Sequence, residues 1–157
     1  MRTIRRRSSS DDVPAVDSPE RPVLLATLDV PFADDAIAFA VDAAVETGRP
    51  LVIVNAAEVL LTPATLLGYG YIEKDDLQLE LGRPVELATS MAVRVERLRV
   101  CSPHPVDALL AVVAERKPAV LVFGPDRSRL RRGTYRRAAR RISKRVSCLL
   151  WTAEGES

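Results

Sequence analysis

The apolar positions of this chain come in short blocks whose period switches between that of a strand and that of a helix. Val23–Leu28 (VLLATL) is a nearly continuous apolar run, as a strand covered on both faces should be. Asp29 ends it and Pro31 blocks its continuation. Ile37, Ala40, Val41, Ala44 and Val45 then recur at i, i+3, i+4, i+7 and i+8, which predicts a helix closed by Gly48. Asp34 and Asp35 fall in its first turn, where the positive end of the helix dipole favours them. Leu51–Val54 predicts a second buried strand, and with it a βαβ start and parallel pairing.

Between Ala56 and Asp76 no period holds. Gly68–Tyr71 reads as loop, and Leu60-Leu61 and Leu66-Leu67 as a turn of helix. A helix is predicted over Val85–Met91 with Pro84 in its first turn. Alternation from Val93 toward Val100 predicts the third strand, and Pro103-His104-Pro105 a turn. Val106, Leu109, Leu110 and Val113 stripe a helix that Pro118 ends, and Ala119–Phe123 is the fourth strand. Tyr135, Ala138, Ala139, Ile142 and Val146 form one face of the last helix, and Cys148–Thr152 the fifth strand. Strands alternating with helices predict the α/β class, an open five-stranded parallel sheet with helices on both faces.

Charge changes this picture at one end. Residues 23–123 carry 8 basic and 14 acidic side chains, whereas residues 124–150 carry 10 basic and 1 acidic. The basic block sits in a loop and helix after the fourth strand, where sheets of this kind bind ligands. Arg129, Arg131 and Arg132 are therefore candidate anion- or partner-binding residues, since guanidinium groups hold anions through charge-assisted hydrogen bonds. No aromatic side chain interleaves with Arg136, Arg137, Arg140, Arg141, Lys144 and Arg145 for base stacking, so nucleic acid is not the expected partner.

The two cysteines, Cys101 and Cys148, lie far apart without a CxxC partner or a histidine cluster, so no metal site and no disulfide are expected. No apolar run approaches the roughly 18 residues of a membrane span. A cytoplasmic setting is expected. Residues 1–21, rich in Arg, Ser, Asp and Pro, read as a disordered leader; 22–152 read as the folded domain and 153–157 as a polar tail. The single histidine, His104, reads as a turn residue, and no nucleophile, base and orienting group assemble into catalytic residues.

From Val23 to Ala44, Leu51 to Glu58, Val106 to Gly124 and Val146 to Leu150 the chain resembles the universal stress protein family, with an adenine-nucleotide α-hydrolase-like fold implied. Residues 58–84 match that pattern poorly. The resemblance implies ATP or AMP as ligand, with Asp29 on its ribose or adenine side, the backbone at Ala56 beside it, and Gly124, Arg127, Gly133 and Thr134 at the phosphates. Nucleotide-binding members carry glycine, two residues, glycine, nine residues, glycine, then serine or threonine after the fourth strand. Gly124 fits the first position and Gly133-Thr134 the closing pair. The second glycine is replaced by Arg127, and only the five residues Ser128–Arg132 precede Gly133. Glycine lets backbone N–H groups approach phosphate and permits positive φ; arginine hinders both. The simpler reading makes Gly124-Pro125 a turn, Thr134 a helix N-cap and Asp29 a solvated strand end.

The resemblance thus implies a non-catalytic regulatory or binding module with weak or lost nucleotide binding. The alternatives are an ATP- or AMP-binding stress protein, or a basic protein meeting nucleic acid or an acidic partner through its last helix. It also implies a homodimer through the last strand, whose candidate edge residues are Leu149 and Trp151.

Overall fold

The computed structural model describes residues 21–60, 63 and 75–153. The elements run β1 (Val23–Thr27), α1 (Asp34–Thr47), β2 (Leu51–Glu58), α2 (Asp75–Ser90), β3 (Val95–Ser102), α3 (Pro105–Arg116), β4 (Val120–Phe123), a 3₁₀ turn (Arg127–Arg129), α4 (Arg132–Arg145) and β5 (Leu149–Thr152). All five strands are parallel in one sheet of order β3-β2-β1-β4-β5. The predicted α/β class and open five-stranded parallel sheet are therefore found.

Alternate residues of each strand face opposite layers. Leu24, Ala26, Val52, Val54, Leu121 and Phe123 pack under α3 and α4, through Leu109, Ala138 and Ile142 among others. Val23, Leu25, Leu51, Ile53 and Val122 pack under α1 and α2, against Ala36, Ile37, Ala40, Leu81 and Ala88. Each fully buried Leu, Ile or Val removed from water stabilises by about 1.5–3 kcal/mol before chain entropy is charged. β1, at the centre of the sheet, is buried along its whole length.

Gly48 closes α1 as expected, at φ 67, with Arg49 N–H donating to the Ala44 carbonyl at 3.1 Å. Three expectations need correction. β2 runs four residues past Val54 because β3 continues to pair with it through Ser102. Helix α2 begins at Asp75, ten residues before Val85, and Pro84 lies inside it, buried, on the stripe of Leu77, Leu81, Val85 and Ala88. Arg21, read as part of the leader, is tied down: its guanidinium donates to the Lys117 and Pro118 carbonyls at 3.1 and 3.2 Å. The expectations for residues 1–20, for Leu61, Leu66-Leu67 and Gly68–Tyr71, and for residues 154–157 lie outside the described residues.

Candidate functional site

The connections from β1 and β4 leave in opposite directions, which opens a crevice at the carboxyl ends of these neighbours. In this chain the two loops meet across it. Phe32 and Pro125 form an antiparallel bridge; Ala33 N–H donates to the Gly124 carbonyl at 2.9 Å and Asp126 N–H to the Pro31 carbonyl at 2.8 Å. Phe32 is 2% exposed. Gly124 is buried, and a Cβ placed on it would lie 2.2 Å from the Cβ of Ala36 on α1. Its missing side chain is required by helix packing. Gly48 is the described glycine with positive φ, so neither Gly124 nor Gly133 uses the left-handed freedom that the phosphate-loop resemblance implies.

Asp29 is not a simple solvated strand end. It adopts φ 60, its N–H donates to Asn55 Oδ1 at 2.7 Å, and its own Oδ1 accepts from Asn55 Nδ2 at 3.3 Å. Thr27 Oγ1 donates to the Val30 carbonyl at 2.8 Å and pins the same turn. A left-handed non-glycine residue costs about 1–2 kcal/mol and persists where its surroundings over-determine it. Asn55 is the residue that the sequence reading missed. Its signal was a lone amide in the apolar run of β2, where it is 4% exposed. Ala56, next to it, is buried and paired with Val100 of β3.

After Gly124 the loop is shaped by side chains. Asp126 caps the 3₁₀ turn, its Oδ1 accepting from Ser128 N–H at 3.0 Å and Ser128 Oγ at 2.8 Å. Arg127 lays its guanidinium over the Tyr135 ring, 4.4 Å from the centroid, and Tyr135 stacks on Phe123 at 5.6 Å. Burial pushes the Tyr135 phenol above its ordinary pKa, while the Arg127 charge and its hydrogen bonds pull the other way. Helix α4 starts three residues earlier than a Thr134 cap requires: Arg131 is its N-cap, without a side-chain cap bond, and Gly133 and Thr134 lie within the first turn. Gly133 is exposed, and a Cβ there would meet Arg137 Nη1 at 3.4 Å. Cations in the first turn oppose the helix dipole, so an anion suits this end on both counts.

On the α3/α4 side, a pocket of about 410 Å³ is lined by Leu28, Glu58, Pro103–Asp107, Thr134, Arg137, Ala138, Arg140 and Arg141. Of the candidate nucleotide residues, Thr134 lines it; Asp29, Ala56, Gly124, Arg127 and Gly133 do not. Arg129, Arg131 and Arg132 are exposed and outside it. His104 is the N-cap residue of α3 and lines the pocket wall, with its N–H donating to Ser102 Oγ at 3.0 Å. Arg141 pairs with Asp107 across the α3–α4 seam.

β5 lies at the sheet edge, where Leu149 is 75% exposed. Trp151 turns onto α1 and stacks on Phe39 at 5.5 Å, so its ring is already engaged within the chain. Burial raises the Cys148 thiol pKa, the behaviour of a small core side chain. Among the described residues no three His, Cys, Asp or Glu gather as metal ligands, and no helix is long and apolar enough to cross a membrane.

A parallel sheet whose winding reverses between β1 and β4, with a basic helix start at the reversal, defines a doubly wound α/β architecture. The model of the universal stress protein family matches residues 20–152, and the chain belongs to that family. A protein of this family from Burkholderia pseudomallei has the same fold, with a TM-score of 0.63 at 16% identity over 89% of this chain and 100% of that one. A universal stress protein from Archaeoglobus fulgidus in complex with dAMP gives 0.52 at 18% identity, over 83% of this chain and 95% of its own. One from Arabidopsis thaliana with AMP bound gives 0.55 at 14% identity, over 87% and 93%. No curated protein matches the chain.

Proposed function

We propose that this chain is a non-catalytic, regulatory binding module of the universal stress protein family, cytoplasmic, whose affinity for ATP is weak or lost. The observation that carries this reading is the placement of Arg127. Where the phosphate loop resembled above has a second glycine, Arg127 opens a 3₁₀ turn and is packed over Tyr135. A packed side chain with a shortened loop replaces open backbone N–H groups, and a triphosphate loses much of its cradle. The retained Gly124 adds no support for a phosphate site, because packing against Ala36 accounts for it. Equilibrium dialysis with ATP tests the reading: dissociation constants in the millimolar range agree with it, and a micromolar constant overturns it.

A second reading is favoured by the pocket beside Thr134. Its volume of about 410 Å³ falls within the range of small-ligand sites. Leu28, Pro103 and Val106 offer an apolar wall, and Arg137 and Arg140 offer cations. Such a lining suits a nucleoside monophosphate better than a triphosphate, and AMP and dAMP are bound in two structures of the same fold. Weak AMP binding in this pocket is thus compatible with the loss of ATP binding at the loop.

The proposed module is a homodimer paired through β5. The exposed Leu149 on an edge strand supports this, since an unpaired apolar edge favours association.

A further inference from the structure

Two surfaces of this domain are unusual, and they lie on opposite sides of the sheet. From Arg127 to Arg145 there are ten Lys and Arg and no Asp or Glu. On α4, Arg132, Arg136, Arg140 and Lys144 follow one another at i, i+4 spacing, all exposed. Like charges at that spacing destabilise a helix. The ion pair that α4 makes among the described residues is Arg141 with Asp107. Across the sheet, α1 and α2 carry four carboxylates each against one cation, Arg83. On α1, Asp42 and Glu46 are exposed, again at i, i+4, and between and beside them Phe39 and Val45 are each 40% exposed. That α4 packs with one core layer and α1 and α2 with the other makes the separation complete.

A polyanion such as a nucleic-acid duplex would complement α4 alone, and would leave an acidic face with exposed apolar side chains unexplained. A second copy of this chain complements both. Arginine is the cation suited to such a contact, since its fork pairs with carboxylates and its plane lies over aromatic rings such as Phe39. We infer that copies of this chain associate head to tail, the basic α4 face of one against the acidic α1/α2 face of the next. The two faces differ, so the interface is heterologous. Each contact leaves one basic and one acidic face free, and growth continues unless a ring closes. The basic face borders the pocket beside Thr134 through Arg140, and Phe39 of the acidic face stacks on Trp151, so the test is made without nucleotide and on side chains outside both.

Sedimentation of the full chain at low and physiological salt tests this. Raising salt from about 0.01 to about 0.15 M shortens the Debye length from about 30 to about 8 Å and should weaken self-association at least about tenfold. Two charge-reversed proteins, Arg136→Glu/Lys144→Glu and Asp42→Arg/Glu46→Arg, should each show the high-salt mass at low salt. Mixed, their reversed faces attract each other, and a heavier species should reappear. Circular dichroism on each variant checks that it is folded. A wild-type mass independent of salt, or a mixture no heavier than its parts, overturns the inference. So does tight, salt-steep binding of a DNA duplex by wild-type chain that shows no salt-dependent mass.

Discussion

A Cβ added to Gly124 would sit 2.2 Å from the Cβ of Ala36, at the point where β4 ends against the first turn of α1. Gly124→Ala should therefore destabilise the fold by about 1–3 kcal/mol, the usual cost of overpacking. Ala36→Gly on its own should cost about 0.5–1 kcal/mol through helix propensity. Combined, the two should cost less than their sum, because the second removes the atom that the first collides with. Urea unfolding of the four proteins measures the coupling, and strict additivity would contradict the packing account.

Asn55 holds Asp29 in its left-handed conformation through bonds of 2.7 and 3.3 Å. Asn55→Ala removes the acceptor of the Asp29 N–H and should cost about 1–3 kcal/mol. Adding Asp29→Gly should recover part of the loss, since glycine adopts φ 60 without strain. If the double variant is no more stable than Asn55→Ala, the strain at Asp29 is not what Asn55 offsets.

The phenol of Tyr135 has its pKa raised by burial. A folded-state value above the unfolded one means that the folded chain keeps its proton where the unfolded chain has lost it. The contribution is complete below the unfolded value, near pH 10, and is lost as pH rises through the folded value. Wild-type stability should consequently fall above about pH 10, and the fall should be shallower in Tyr135→Phe. Arg127→Ala, by removing a charge that favours the phenolate, should push the phenol further up. Stability measured against pH for the three proteins decides the matter; identical alkaline slopes for wild type and Tyr135→Phe would contradict it.

Leu149 gives the cleanest test of pairing through β5, because its side chain is exposed whereas Trp151 also packs on Phe39. Light scattering in high salt, which suppresses charge-driven contacts, should show a dimer for wild type and half that mass for Leu149→Arg. Equal masses would exclude this edge as the interface.

The sheet was legible because each strand carries its own apolar run and each crossover helix its own stripe. VLLATL, LVIV and VLVF need no partner to be recognised as buried strands. Helix α2 was under-read for a local reason: Pro84 sits mid-helix, where it normally breaks the pattern, and Gln78 and Glu80 dilute the stripe of Leu77 and Leu81. The site was less legible because its determinants are contacts between distant segments. Nothing near Gly124 indicates that Ala36 will press against it. Phe32 looks like a stray apolar residue until register brings it to Pro125. The departures at Arg127 and in loop length could be read from spacing alone. What Arg127 does instead could not, since it depends on Tyr135 eight residues further on.

Calorimetric titration with magnesium-ATP tests the central claim, that a packed Arg127 has taken the place of an open phosphate cradle, most directly. The account predicts no saturable heat for the wild type at micromolar nucleotide, and a dissociation constant no tighter than about 1 mM, or about −4 kcal/mol of binding free energy. A saturating isotherm in the micromolar range, weakened in Asp29→Ala but unaffected in Arg127→Gly, would contradict it.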